Sequence, residues 1–322
     1  MPMRAKKKIL TWLSIVVSIF VSGCASQKET IYQEKNKQDI KRPYYISFTV
    51  TREEGDILNT YNYIYDFENE KVELKGKIQY TSQYPLTAYS YSENALYYTH
   101  RRDGEGDDEI YRKNLTTGQT ECLTDTLFAV NYIFPFEDKV YIAAVEKGTR
   151  AVGLFKYENG TLQRLLDNKD SFVWQVNYNP DLNQMVFNTY SDDEASIRAE
   201  KNNGVDVIGM NSLYIADIKK DSIKKIAEPE EGYMSGILLD SSENIYYRLG
   251  GYKQLKSGKG NDSSKFNGLN IDKIIYMNET ELYYVSSEGE IIKYRFADDQ
   301  TKILYNLKEE SAAINNAIIL PK

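Results

Sequence analysis

The stretch Ala95–Asp125, ALYYTHRRDGEGDDEIYRKNLTTGQTECLTD, shows most clearly how the chain folds. Short runs of Tyr, Ile, Leu and Thr alternate in it with clusters of Gly, Asp, Asn and Thr, which is the pattern of β-strands joined by turns. Long helical periodicity is absent here and from Tyr44 onward. We therefore predict strands at Leu96–His100, Ile110–Leu115 and Thr120–Leu123, an acidic turn at Asp103–Asp108 and a tight turn at Thr117-Gly118.

The same order of strands and turns returns along the chain. Further units begin near Lys139, Gln184, Asn244 and Glu281, and an earlier unit covers Tyr44–Ile78. A period of roughly 40–50 residues with four strands per unit is typical of β-propeller blades. The chain begins on a second strand and ends on a lone first strand, Asn316–Leu320. We predict an all-β propeller of six four-stranded blades, closed by the C-terminal strand so that no sheet edge stays open. A pair of β-sandwiches is the alternative.

The best unit resembles a known repeat. It has Arg102-Asp103-Gly104, Ile110-Tyr111, Thr117-Gly118 and Leu123-Thr124 where the TolB-type, or WD40-like (PD40), β-propeller repeat has R-D-G, I-Y, T-G and L-T. The other units match in the order of their elements more than in letters. The resemblance implies a propeller that docks proteins in envelope complexes or gates a serine peptidase. A hydrolase domain of that kind carries G-x-S-x-G, which this sequence lacks, so only the docking role is carried over.

The N-terminal residues predict export and lipid attachment. Four basic residues in MPMRAKKK precede the apolar run Ile9–Val21, which is the layout of a secretory signal peptide. Val21-Ser22-Gly23-Cys24 resembles the lipobox of bacterial lipoproteins. That resemblance implies acylation of Cys24, with palmitate among the acyl chains, and cleavage before it. We predict a signal peptide at 1–23, a flexible polar tether at 24–43 and the propeller domain at 44–322; an ordinary membrane helix is the alternative.

The composition excludes several classes of function. The formal net charge is −7, so no basic surface for nucleic acid is expected. His100 is the only histidine, and Cys122 is the only cysteine after Cys24, so an internal disulfide is excluded and His-dependent catalytic or zinc sites are disfavoured. We predict no cofactor, no catalytic residue and a buried Cys122 thiol. The Tyr pairs at 97–98, 246–247 and 283–284 are predicted to pack between blades.

Two acidic segments are the candidate binding residues. Each lies between the second and third strands of its unit, so both are predicted to share one rim of the ring. Their carboxylates are expected to be exposed and unpaired. The residues are Asp103, Glu105, Asp107 and Asp108 in the acidic turn, and Asp192, Asp193 and Glu194 in the long insertion Tyr190–Met210. The turn has the alternating oxygen ligands of a Ca²⁺ loop but not the downstream bidentate Glu, so no metal is predicted. A solvated turn and a tolerated surface insertion are the alternatives.

Together these features predict a lipid-anchored propeller on the extracytoplasmic face of a bacterial cell membrane. It is expected to bind a protein partner, or a wall polymer or peptide, through one face of the ring. One alternative is a carboxylate-dependent enzyme acting on an envelope polymer or sugar, for which paired carboxylates inside the ring are needed. Another is a structural or sensory component of a membrane complex.

Overall fold

The computed structural model describes residues 44–80, 82–102, 106–166, 171–191, 211–227, 234–249, 256–257, 266, 268–307 and 312–322. The predicted signal peptide, Cys24 and the predicted tether lie outside the described residues. The described residues form 23 β-strands in six antiparallel sheets and contain no α-helix.

The sheets follow one another along the chain. The first contains β1 (Tyr44–Glu54), β2 (Ile57–Asp66) and β3 (Lys71–Gln79), with β23 (Ala313–Pro321) from the other end of the chain. The second contains β4 (Thr87–Ser90), β5 (Ala95–Arg101), β6 (Asp108–Asn114) and β7 (Thr120–Cys122). The third contains β8 (Leu127–Phe136), β9 (Lys139–Glu146), β10 (Val152–Glu158) and β11 (Thr161–Arg164). The fourth contains β12 (Ser171–Asn179), β13 (Gln184–Ser191), β14 (Asn211–Asp217) and β15 (Ser222–Ala227). The fifth contains β16 (Met234–Leu239), β17 (Ile245–Leu249) and β18 (Lys256–Ser257). The sixth contains β19 (Ile271–Met277), β20 (Glu281–Ser286), β21 (Glu290–Arg295) and β22 (Gln300–Asn306).

The turn after β6 shows how local chemistry sets these strands. The side-chain oxygen of Asn114 accepts hydrogen bonds from the backbone N–H groups of Thr116 and Thr117, each at 2.9 Å. Gly118 then adopts a φ of 74°, which glycine reaches without steric cost. The chain reverses into β7, as the Thr117-Gly118 pattern predicts.

A second predicted turn lies in the third sheet. Asn159 and Gly160 have φ values of 51° and 77° and join β10 to β11, with Glu158 opposite Thr161. A two-residue hairpin with both φ values positive suits the twist of antiparallel strands, and Asn-Gly is the pair that adopts it most readily.

The sheets surround a common axis. The first strands contact one another from sheet to sheet: β4 contacts β8, β12 contacts β16, β16 contacts β19 and β19 contacts β23. β23 also contacts β8 and β12, so the strands at the axis stand close together. The chain is therefore an all-β propeller in which the first strand of each blade lies innermost.

Five of the sheets are four-stranded blades, and the fifth sheet in chain order, β16–β18, has three described strands. In the first blade β23 pairs antiparallel with β1, from Tyr44 opposite Pro321 to Thr51 opposite Ala313. The four residues Ala317–Leu320 of β23 are each no more than 5% exposed. The two ends of the described domain thus share one sheet.

The core consists of the inner strands and the faces between blades. All three predicted Tyr pairs belong to it, since none of their side chains exceeds 8% exposure. Their assignment to packing rather than to a carbohydrate surface is confirmed. Tyr favours this position because its ring packs against the neighbouring sheet while its hydroxyl finds a polar partner.

The prediction of a buried Cys122 is wrong. Cys122 is exposed, and it ends β7, whose three residues are all exposed. The reason is its place in the blade, because β7 is the outermost strand of its sheet. The thiol donates a hydrogen bond to the carbonyl of Thr124 at 3.0 Å.

Candidate functional site

A cavity of about 650 Å³ opens at one end of the propeller axis, and we call it the axial funnel. The inner strands contribute Asn131, Tyr132, Trp174, Lys273, Ala313 and Asn315. The segment between β3 and β4 contributes Tyr80, Gln83, Tyr84, Pro85 and Leu86, and the ends of β1 and β2 contribute Thr51 and Leu58. A volume of this size is in the range of ligand-binding clefts, roughly 300–1,000 Å³.

Three β-bulges supply side chains to the axial funnel. Asn131, Trp174 and Asn315 are the extra residues where the registers of β8, β12 and β23 shift. A bulge breaks the alternation of a strand and redirects the extra side chain. Three different inner strands have a bulge at the same end of the axis, so the backbone of the inner strands shapes the funnel.

Lys273 is the cation of the axial funnel. Its ammonium group donates a hydrogen bond to Oδ1 of Asn316 at 2.7 Å and lies 5.3 Å from the ring centre of Tyr132. Burial lowers the pKa of Lys273 from 10.5 to about 8, since the charged form loses hydration, and the longer-range attraction of Asp272 opposes this effect. Most of the amine is still protonated at neutral pH.

Aromatic rings form much of the wall. The side chain of Trp174 is 47% exposed and that of Tyr84 is 56% exposed, so both present ring surface at the cavity. The Trp174 ring meets that of Tyr190 edge-on at 5.8 Å, and Tyr190 stacks on Phe172 at 4.9 Å. Trp174 is thus supported from behind while one of its surfaces stays open to a ligand. Burial raises the pKa of the third ring, Tyr132, to about 12.

Asp108 holds the segment that carries Tyr84. One carboxylate oxygen accepts the backbone N–H groups of Gln83 at 2.7 Å and of Tyr84 at 3.4 Å, and Arg101 lies 3.7 Å from the other oxygen. The pKa of Asp108 is raised because its burial outweighs these three contacts. The predicted exposed position of Asp108 is wrong: its side chain is fully buried. The reason is that β6 begins at Asp108, two residues before the predicted start of this strand.

The next carboxylates are also engaged within the protein. Lys147 lies 3.2 Å from Asp107 and 2.9 Å from Glu109. Glu109 is buried and accepts hydrogen bonds from Thr124 Oγ1 and the Leu127 N–H. The expectation that Asp107 is unpaired is therefore wrong, because Lys147 of the next blade supplies its counter-charge.

The other candidate residues lie outside the described residues: Asp103, Glu105, Asp192, Asp193, Glu194 and the lipidation residue Cys24. The described ends of both acidic segments nevertheless lie at the axial funnel. Asp108, the last residue of the predicted acidic turn, accepts hydrogen bonds from the N–H groups of Gln83 and Tyr84. Tyr190, the first residue of the insertion, contacts Trp174. The partner-facing rim built from these segments stays a prediction.

The sequence reasoning missed the funnel residues. Trp174 and Lys273 lie in the runs FVWQVNY and IDKIIYM, which the pattern identifies only as strands. For Lys273 the available signal was a lysine inside a run that the pattern identifies as an inner strand, whereas the exposure of Trp174 is visible only in the structure.

Two kinds of feature are not found within the described part of the chain. No group of three or more His, Cys, Asp or Glu side chains there is placed to hold a metal ion. No helix long and apolar enough to span a membrane occurs in the same residues.

Comparisons with known proteins identify the fold. The chain is similar to a chain of a nidogen/laminin complex, with a TM-score of 0.54 and 11% identity over 86% of this chain and 98% of that one. It is also similar to TolB from Acinetobacter baumannii, with a TM-score of 0.55 and 15% identity over 86% of this chain and 67% of that one. No protein-family model matches the sequence, and neither does any curated protein. At these identities the likeness establishes a TolB-like propeller fold and nothing finer.

Proposed function

We propose that the protein is a lipid-anchored β-propeller that acts as a binding or scaffold protein at the extracytoplasmic face of the cell membrane. The observation that carries the binding role is the axial funnel, where three bulged inner strands place Asn131, Trp174 and Asn315 around one cavity. The lipobox-like Val21-Ser22-Gly23-Cys24 supports the anchor. We further propose that β16–β18 belong to one of six blades and that β23 closes the ring.

The funnel suits recognition because its walls are fixed before a ligand arrives. Trp174 rests against Tyr190, and the Tyr84 segment is held by Asp108. Binding to a preorganised surface avoids much of the entropy lost when side chains become ordered. The protein partner expected here would reach the funnel across the rim from which the two acidic segments leave the fold.

The enzyme alternative receives no comparable support. A carboxylate-dependent reaction needs two carboxyl groups facing the substrate. The described residues that line the axial funnel include no Asp or Glu. We therefore propose binding rather than catalysis as the role of this cavity.

Crosslinking in intact cells tests the binding role. The full chain, with a photoreactive amino acid at position 84, is expressed with native Trp174 or with Trp174→Ala, and crosslinked partners are compared. The matched control is Ile303→Ala, since Ile303 is 53% exposed on β22, the outermost strand of its blade. We expect Trp174→Ala to lose at least nine-tenths of the crosslinked partner and Ile303→Ala to lose none. Equal crosslinking in both variants would refute the funnel as the binding site.

Lipid labelling tests the anchor separately. Cys24→Ala is expected to lose incorporation of labelled fatty acid and to leave the membrane fraction, because the thiol that accepts the diacylglycerol is gone. The control is Cys122→Ala, which removes the only other cysteine and should leave labelling unchanged. Labelling that persists in Cys24→Ala contradicts the lipoprotein proposal.

A further inference from the structure

The axial funnel has an unusual charge. The whole chain has 47 acidic and 40 basic residues, yet Lys273 is the single charged side chain among the described residues that line this cavity. Described lining residues that carry one cation and no carboxylate favour an anionic ligand by charge complementarity.

Lys273 forms no ion pair within the described part of the fold, and Asp272 attracts its charge only at longer range. Its ammonium has three donors, and the hydrogen bond to Asn316 uses one. No described carboxylate lies within the 4 Å that defines an ion pair with it. A half-buried cation without a counter-ion is costly, and an anion bound in the funnel would supply the missing charge.

Amide groups next to the lysine add hydrogen-bonding capacity. Asn316 is 1% exposed, and its Nδ2 has no hydrogen-bond partner among the described residues. Asn131 reaches the funnel from its bulge, and its side chain forms no hydrogen bond within the same described set. A buried amide without a partner, such as that of Asn316, is rare in folded proteins, whereas Asn131 is partly exposed. Asn131 and Lys273, which both line the funnel, supply N–H donors of the kind that a carboxylate requires.

The remaining walls fit the body of a peptide. Trp174, Tyr84 and Tyr132 present rings, and Leu58, Pro85 and Leu86 present aliphatic groups. A sugar would bring many hydroxyl donors, for which carboxylates are the strongest acceptors, and the described lining has none. A phosphate is usually held by several cations or a helix N-terminus, whereas this lining offers one lysine. An apolar peptide that ends in a free carboxylate matches both the single lysine and the apolar walls of the cavity.

We propose that the axial funnel binds the C-terminal carboxylate of a peptide segment of a partner protein, with Lys273 recognising the carboxylate and the aromatic walls holding the last side chains. This inference rests on the proposed binding function and specifies its ligand. Capture of a chain terminus by a few convergent donors is a known mode of peptide recognition.

Tryptophan fluorescence measures this binding directly. Trp12 and Trp174 are the only tryptophans, so Trp12→Phe in the full chain leaves a single tryptophan at the funnel. The probes are two pools of acetylated hexapeptides that end in Leu, Phe or Ala, one with a free carboxylate and one with a C-terminal amide. We expect the free pool to change Trp174 emission and the amide pool to bind at least tenfold more weakly.

Variants of Lys273 test whether the preference for the free carboxylate depends on the ammonium group. Lys273→Met should bind both pools equally weakly, and Lys273→Arg should recover part of the preference for the free carboxylate. The control is Lys302→Met, which removes an exposed lysine on β22 that pairs with Glu70. Circular dichroism confirms that each variant is folded.

Each other outcome overturns the proposal in a distinguishable way. Equal binding of the two pools refutes carboxylate recognition but leaves the binding function intact. Binding of 4-phenylbutyrate as tightly as the free peptides identifies a small carboxylic acid instead of a peptide. If no probe binds while crosslinking still depends on Trp174, the ligand is not a peptide C-terminus. If crosslinking is also independent of Trp174, the proposed function itself fails.

Discussion

Replacing Lys273 by Met should make the protein more stable at neutral pH. In the folded protein the pKa of Lys273 is about 8, compared with 10.5 for an ordinary lysine. At about 1.36 kcal/mol per tenfold change in proton affinity, keeping this amine charged costs the fold about 3 kcal/mol at pH 7. Met has a similar length, carries no charge and packs well against rings.

The expected gain is smaller than this cost because a hydrogen bond is lost. Asn316 accepts from the ammonium at 2.7 Å and is buried, so its oxygen loses a partner, which costs about 1 kcal/mol. The net increase in the free energy of unfolding is then about 2 kcal/mol, or roughly 5 °C in melting temperature for a domain of this size.

The pH dependence of the stability difference between the native protein and Lys273→Met shows whether the buried lysine charge causes it. Between pH 8 and 10.5 the unfolded chain still holds the lysine proton that the folded chain has released, so the stability of the native protein rises with pH in this window. The variant lacks this rise. Its advantage of about 2 kcal/mol at pH 7 should therefore become a deficit of about 1 kcal/mol near pH 11.

Urea unfolding at several pH values, followed by circular dichroism, measures this difference. Lys302→Met is the matched control, since its exposed pair with Glu70 should contribute less than about 1 kcal/mol. A Lys273→Met variant that is less stable than the native protein at pH 7, or a difference that does not change with pH, would refute the reasoning.

Three further predictions concern the residues around the axial funnel. Asp108→Ala leaves the N–H groups of Gln83 and Tyr84 without their acceptor and should lower the free energy of unfolding by about 2 kcal/mol in urea, with Glu68→Ala, an exposed carboxylate, as the control. Deletion of residues 316–322 removes the buried part of β23 and uncovers the edge of β1, so chromatography and melting should show self-association and a large loss of stability; an unchanged monomer would contradict closure by β23. Neutralising the acidic segments should slow partner association and flatten its salt dependence in stopped-flow measurements while leaving the melting temperature unchanged. The residues replaced are Asp103, Glu105, Asp192, Asp193 and Glu194. A loss of stability would instead indicate that these carboxylates hold a structural cation.

The strands and turns of the propeller were predictable because their causes are local. Asn159-Gly160 and Thr117-Gly118 determine their turns through their own φ angles and side-chain hydrogen bonds. The Tyr pairs recur at one position of the repeat, and the fold buries them all. The unit predicted to begin near Asn244 corresponds to the sheet with three described strands.

The candidate site was much less predictable because its causes are not local. Asn315 reaches the funnel only because β23 shifts its register against β1, at the other end of the chain. Asp108 was assigned to the exposed turn because the predicted strand started two residues too late, and this boundary decides whether the carboxylate faces water or the Tyr84 segment. An error of two residues at the end of a strand therefore decides whether a side chain is assigned to the strand or to the turn before it.

The inner strands must satisfy two opposing requirements at the axial funnel. Packing around a narrow axis favours regular apolar strands, and Ala317–Leu320 of β23 meet this requirement. The funnel end of the same axis instead has three bulges, an exposed tryptophan and a lysine whose pKa is depressed by burial. Each of these features lowers stability without improving the packing of the ring. Such costs persist in a fold where they serve recognition, and that is the strongest reason to look for the ligand at this end of the propeller.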